Sequence, residues 1–187
     1  QLCIATASAG HAALIDCRGL TVEQVPVPDD VDIVIRFVAH RTLRGSAYAE
    51  RVAQCAAAEA EIGSLRTATL SQVATIGDET IRRRARHVVN ENDRVRHFAD
   101  ALRRADYVHL GRLMTAGHAS LRDDYETSTP KMNAAVDQLN ATPGVFGARM
   151  TGGGFGGCLV AICEPGTIRH GWIVKASAGA RVLPPNG

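Results

Sequence analysis

Val145-Phe-Gly-Ala-Arg-Met150, Thr151-Gly152-Gly153-Gly154-Phe155-Gly156-Gly157 and Cys158-Leu-Val-Ala-Ile-Cys163 follow one another without a break, and they read as strand, loop and strand. Pro143-Gly144 closes whatever precedes the first strand, and the second is a short apolar run of strand length. Between them, five of the six residues from Gly152 to Gly157 are glycine. Such density lets the backbone approach a ligand or a neighbouring chain segment closely and permits positive φ. Amides pointing into a concavity can bind phosphate. The loop lacks the Lys-Ser/Thr pair of a P-loop. Gly152, Gly154 and Gly157 fit the spacing G-x-G-x-x-G, but that fingerprint needs a βαβ unit and a later acidic residue. A dinucleotide-binding module therefore rests on spacing alone. Composition favours a tight β-to-β connection packed beside another loop.

Outward from this stretch, the chain separates into strands, helices and strands. His11-Ala-Ala-Leu-Ile-Asp16 is a short apolar run ended by Gly19. Thr21 to Val27 alternates with period two, Pro26 placing it near an edge, and Val31 to Val38 is rich in β-branched residues. Helices are expected from Ala47 to about Ile62 with Ser46 as cap, from Ile81 to Arg104, from Asp106 through Leu121, and from Pro130 to the Pro143-Gly144 stop. The order strands, helices, strand-loop-strand is that of a layered α+β domain, an antiparallel sheet packed with helices.

The chain has 187 residues, 45% hydrophobic but only 4% aromatic, so its core must be built from Ala, Val, Leu and Ile. Lys and Arg number 21 against 19 Asp and Glu, a net +2 with both signs interleaved, which argues against a nucleic-acid-binding protein. No apolar run reaches the roughly 18 residues of a membrane helix. Five cysteines without a C-x-x-C pair fit reduced thiols in a cytoplasmic protein, with Cys158 and Cys163 as core thiols. The chain begins with Gln1 rather than Met, no signal-peptide pattern follows, and it is expected to be a piece of a longer protein. Arg82, Arg83, Arg84 and Arg86 sit in a helical first turn, where acidic residues are preferred. They read as a solvated face. His87, His97 and His118 read as helix-surface residues, and Asp123-Asp124 as capping or solvated carboxylates, one neutralised by Arg122. No His pair has helical zinc spacing, and no Ser lies on a nucleophile elbow.

Several segments in order resemble the galactokinase family of the GHMP small-molecule kinases. Met150-Thr-Gly-Gly-Gly-Phe-Gly-Gly-Cys158 resembles the third GHMP motif in its galactokinase form. Gly10-His-Ala-Ala-Leu-Ile-Asp-Cys17, Gly45-Ser-Ala-Tyr48-Ala-Glu-Arg51 with Cys55, Arg84-Ala-Arg-His-Val-Val-Asn-Glu-Asn92 and Ser120-Leu-Arg-Asp-Asp-Tyr-Glu126 are similar to further stretches of that family. The resemblance runs in register from Gln1 to about Pro165. It implies residues 1–40 as the end of the GHMP N-terminal domain with its crossover, and 41–187 as the C-terminal domain, shortened at its end. It also implies transfer of the γ-phosphate of MgATP to the C1 hydroxyl of galactose. In the family, an Asp in a Met-Asp-Gln context is the base, and Gln1 matches the Gln of that context. The resemblance therefore assigns no catalytic residue and no metal ligand to these 187 residues, and the isolated chain is expected to be inactive.

What it does assign is a substrate contact for Tyr48 and support of the nucleotide loop for Gly152, Gly153, Gly154, Phe155, Gly156 and Gly157. The implied partners are galactose and ATP, with Mg2+ as the family's metal. A non-catalytic sugar sensor or a decayed remnant is the alternative. The chain departs from the family pattern at Arg36-Phe37-Val38-Ala39, at Lys131-Met-Asn133, and in the short tail after Pro165.

Overall fold

The computed structural model describes residues 2–40 and 47–180. A short helix α1 (Leu2–Thr6) leads into the hairpin of β1 (His11–Asp16) and β2 (Thr21–Pro26), paired antiparallel from His11 opposite Pro26 to Asp16 opposite Thr21. The Asp16 carboxylate closes the turn by accepting the Arg18 and Gly19 amides at 2.8 and 3.0 Å. This hairpin is a separate two-stranded sheet.

Next come β3 (Asp32–Ala39) and five helices: α2 (Ala47–Ile62), α3 (Leu70–Val73), α4 (Glu79–Arg103), α5 (Tyr107–Asp123) and α6 (Pro130–Asn140). The chain then returns to strands β4 (Val145–Thr151), β5 (Gly157–Cys163) and β6 (Trp172–Val174). The main sheet is antiparallel in the order β4-β5-β3-β6. Strand β3 pairs with β5 from Asp32 opposite Cys163 to Ala39 opposite Gly157. The unusual Arg36–Ala39 stretch carries a register shift between Phe37 and Ala39, and Phe37 is exposed beside the His40 ring.

The starts of α4, α5 and α6 have a local cause. Asp78, Asp106 and Thr129 sit outside helical geometry and accept the amides of Ile81, His109 and Met132, satisfying donors that a helix start leaves free. Pro130 follows Thr129 at the first helical position, where its missing N–H costs nothing. The expected Ser46 cap lies outside the described residues. The short α3 is held by a capping box between Thr69 and Gln72.

The sheet buries both faces. Met132, Val136 and Leu139 of α6 pack on Ala148, Met150, Leu159 and Ala161. On the other face, Leu110 and Met114 of α5 join Ala99 and Leu102 of α4, with Val25 and Ile162. A third cluster ties α2, α3 and α4 together through Ala58, Val73, Ile76, Ala85 and Val89. Where α5 crosses β4 the two backbones touch: a Cβ built on Gly147 would lie 2.5 Å from the Gly111 Cα. Cys163 is buried and Cys158 half-buried, as expected of thiols flanking a core strand. Among the described residues, no helix is long and apolar enough to cross a membrane.

Candidate functional site

The glycine loop leaves β4 at Thr151 and enters β5 at Gly157. Its middle is anchored to the segment that connects α5 to α6. The Phe155 amide donates to the Thr127 carbonyl oxygen at 2.7 Å. Gly154, at φ +85°, lies so close that an added Cβ would stand 2.6 Å from that same oxygen. Gly153 faces open space. The loop is therefore a tight β-to-β connection seated on a second loop at one edge and open at its tip. The backbone approach that glycine permits is used against Thr127 rather than left free.

Thr127 is itself placed by arginines. Arg84 is 1% exposed, which corrects the reading of the arginine run as a solvated face. Its Nε donates to Gln54 Oε1 at 2.9 Å, Nη1 to the Asp124 carbonyl at 2.5 Å, and Nη2 to Glu126 Oε2 at 2.5 Å. Arg83 donates to the Asp123 carbonyl at 3.0 Å and to Glu126 Oε1 at 2.7 Å. From α2, Arg51 Nε donates to the Tyr125 carbonyl at 2.7 Å. Arg86 pairs with Asp124 at 2.6 Å, while Arg122 neutralises Asp123 as expected. Four cationic side chains from two helices thus grip four consecutive residues, Asp123 to Glu126, immediately before Thr127. The Glu126 carboxyl is held below its ordinary range, above all by its hydrogen bond from Arg84.

His87 and His118 are buried, correcting their expected surface positions, whereas His97 is exposed. The His87 ring stacks on Tyr125 with centroids 4.4 Å apart, and its Nδ1 is 2.9 Å from Ser120 Oγ. Burial pushes its pKa down to about 4, so near neutrality the imidazole is uncharged and adds no further cation to the arginine cluster. The Tyr125 phenol, 3.7 Å from the Cys55 thiol, is pushed up to about 12, first by burial and then by that thiol. Tyr48 lies in the first turn of α2, 61% exposed, three residues before Arg51. Helix α2 therefore connects Tyr48 to the glycine loop through Arg51, Tyr125 and Thr127. Sequence reasoning missed Arg51, Arg84 and His87. One signal was available: Arg84 stands four residues before Val88, on the apolar stripe of α4.

Thr127 also carries a buried hydroxyl with no partner among the described residues. A buried unpaired hydroxyl costs about 1 to 3 kcal/mol, while its carbonyl bond to the loop belongs to the backbone. Thr127→Val keeps the shape and the carbonyl. It is expected to raise stability by about 1 kcal/mol, read as a higher denaturant midpoint at unchanged slope. A lower midpoint would show that the hydroxyl is paired.

Residues 98–171 match the family model described as GHMP kinases C terminal, and the α+β fold is that of such a domain. Within that class the chain is homologous to galactokinases. It is 41% identical to the Homo sapiens galactokinase over 93% of this chain and 50% of that protein. It is 44% identical to the galactokinase of Chloroflexus aurantiacus over 87% of this chain and 44% of that one. The crystal structure of Lactococcus lactis galactokinase complexed with galactose superposes with a TM-score of 0.80 at 37% identity, covering 86% of this chain and 45% of that one. The L. major mevalonate kinase, at 17% identity and a TM-score of 0.54, shares the fold. The chain spans about half the length of the curated relatives it matches.

Proposed function

We propose that these residues form the C-terminal part of a galactokinase, a sugar kinase that transfers the γ-phosphate of ATP to galactose. One observation carries this reading: about 40% identity to galactokinases over nearly the whole chain, including the glycine loop and the segment it rests on. The galactose in the Lactococcus lactis relative supports the choice of sugar. In this reading, residues 1–40 close the N-terminal domain and cross over, with β3 joining the sheet of the C-terminal domain at 41–187. Phosphoryl transfer is mostly a matter of positioning and charge stabilisation. The contribution of these residues is then structural support of the phosphate side by Gly152 to Gly157, and a phenol at Tyr48 offering both ring face and hydroxyl to the sugar. Among the described residues no group of three or more His, Cys, Asp or Glu is arranged to hold a metal ion. The free cysteines fit a reducing compartment, and we assign the protein to the cytoplasm.

The test is ATP-dependent formation of galactose 1-phosphate by a protein of the relatives' full length containing these residues, with Tyr48→Phe alongside. Removing the hydroxyl leaves a sugar hydroxyl without a partner, at about 1 to 3 kcal/mol or roughly ten- to a hundred-fold in galactose affinity. ATP affinity should change less than twofold. No product from the wild-type protein rejects the kinase reading, and equal losses for both ligands remove Tyr48 from the sugar site.

A further inference from the structure

We propose that Arg84 is a positioning residue that sets the glycine loop from the core of the helical layer, and that Glu126 is its counterpart. What the loop serves rests on the kinase reading; that Arg84 places it does not. A guanidinium with a side chain 2% exposed pays several kcal/mol of desolvation, which a merely ornamental ion pair would not repay. Arg84 is satisfied instead by three acceptors from two separate segments: Gln54 of α2, the Asp124 carbonyl and the Glu126 carboxylate.

Those acceptors bracket a sharp reversal of the chain. Glu126 has φ +54°, a conformation few residues other than glycine adopt, and its carboxylate is held on both oxygens, by Arg84 Nη2 and Arg83 Nη1. The reversal delivers Thr127 into the interior. There its amide donates to the Leu121 carbonyl at 3.0 Å and its carbonyl accepts the Phe155 amide at 2.7 Å. From the guanidinium to the loop there are thus one hydrogen bond, a few covalently linked residues and one more hydrogen bond. Gly154 is packed against the same carbonyl and cannot compensate for its movement. A displacement at Glu126 must appear at Phe155.

The experiment is site-resolved hydrogen exchange on the 187-residue chain, comparing wild type with Arg84→Lys and Glu126→Gln. Lysine keeps the charge but has no planar fork to serve three divergent acceptors. Arg84→Lys is expected to speed exchange of the Phe155 amide at least tenfold, while the β4 and β5 amides of Ala148, Met150 and Ala161 stay within twofold. Glu126→Gln removes the charge from a partly exposed group and so is the milder change; it is expected to speed the same amide about threefold. If Arg84→Lys does not fold, Glu126→Gln decides alone. An unchanged Phe155 rate, or strand amides rising in parallel with it, overturns the proposal, because general loss of stability would speed all of them together. In the full-length kinase, Arg84→Lys should raise the KM for ATP several-fold with the KM for galactose within twofold; equal changes in both count against positioning. Exchange needs no turnover, so an inactive wild type would remove the kinase reading and leave the exchange result standing.

Discussion

Gly111→Ala is expected to leave the chain largely unfolded at 25 °C. The Cβ of an alanine at this position would stand 1.7 Å from the Phe146 carbonyl oxygen and 2.5 Å from its carbon. Both are backbone atoms of β4, so no rotamer change can make room. Restoring ordinary contact means moving α5 off the sheet by more than an ångström. Leu110 and Met114 would then lose their packing against Ile162 and the α4 residues Ala99 and Leu102. Overpacking of side chains costs about 1 to 3 kcal/mol. A backbone-to-backbone wedge of this kind should exceed that, on the order of 5 kcal/mol, which is comparable with the whole stability of many domains.

In an exposed helix interior, Gly→Ala stabilises by about 1 kcal/mol through helix propensity alone. If α5 and β4 were separated by ordinary side-chain packing, Gly111→Ala would raise stability. Gly77→Ala serves as the control, since a Cβ there meets nothing within 4 Å. Circular dichroism at 222 nm across a urea series reads both variants. A Gly111→Ala curve at or above the wild-type midpoint would mean that the close approach of α5 and β4 is wrong.

The elements legible in the sequence were those whose signal is local and long. The α2, α4, α5 and α6 helices follow from capping residues and apolar spacing, and β4 and β5 from short apolar runs bounded by turns. Helix α1, helix α3 and strand β6 were missed, and they have five, four and three residues. Segments so short carry no period. The Thr69–Gln72 capping box is written in the sequence, but the four-residue helix it starts has no apolar period to mark it. The site divided in the same way. The glycine loop announced a close backbone approach, yet nothing local named its partner, because Thr127 lies 27 residues earlier and meets the loop only once α6 has turned the chain back. The arginine run was misread because charge is a surface signal unless acceptors arrive from elsewhere. Here they arrive as main-chain carbonyls, to which sequence pattern is blind.

Gly154→Val should lower stability by roughly 4 kcal/mol, a fall of about 10 °C in unfolding temperature for a chain of this size. Two independent costs add. At φ +85° a β-branched residue is held in a region that L side chains avoid, at about 1 to 2 kcal/mol. The Cβ would also stand 2.6 Å from the Thr127 carbonyl oxygen and 2.7 Å from its Cβ, an overpacking cost of about 1 to 3 kcal/mol. Relief by retreat of the loop is closed off, because the next residue donates its amide to the same oxygen at 2.7 Å. Either the hydrogen bond breaks or Thr127 moves, and Thr127 is tied to a segment gripped by arginines. The neighbouring position separates this account from a general intolerance of the loop. Gly153 meets nothing within 4 Å and has no positive φ, so Gly153→Ala should shift the unfolding temperature by less than about 2 °C. Differential scanning calorimetry of the two variants decides the matter. Equal shifts at both positions would mean that the loop is uniformly constrained, and no shift at Gly154 would mean that it is not seated on Thr127.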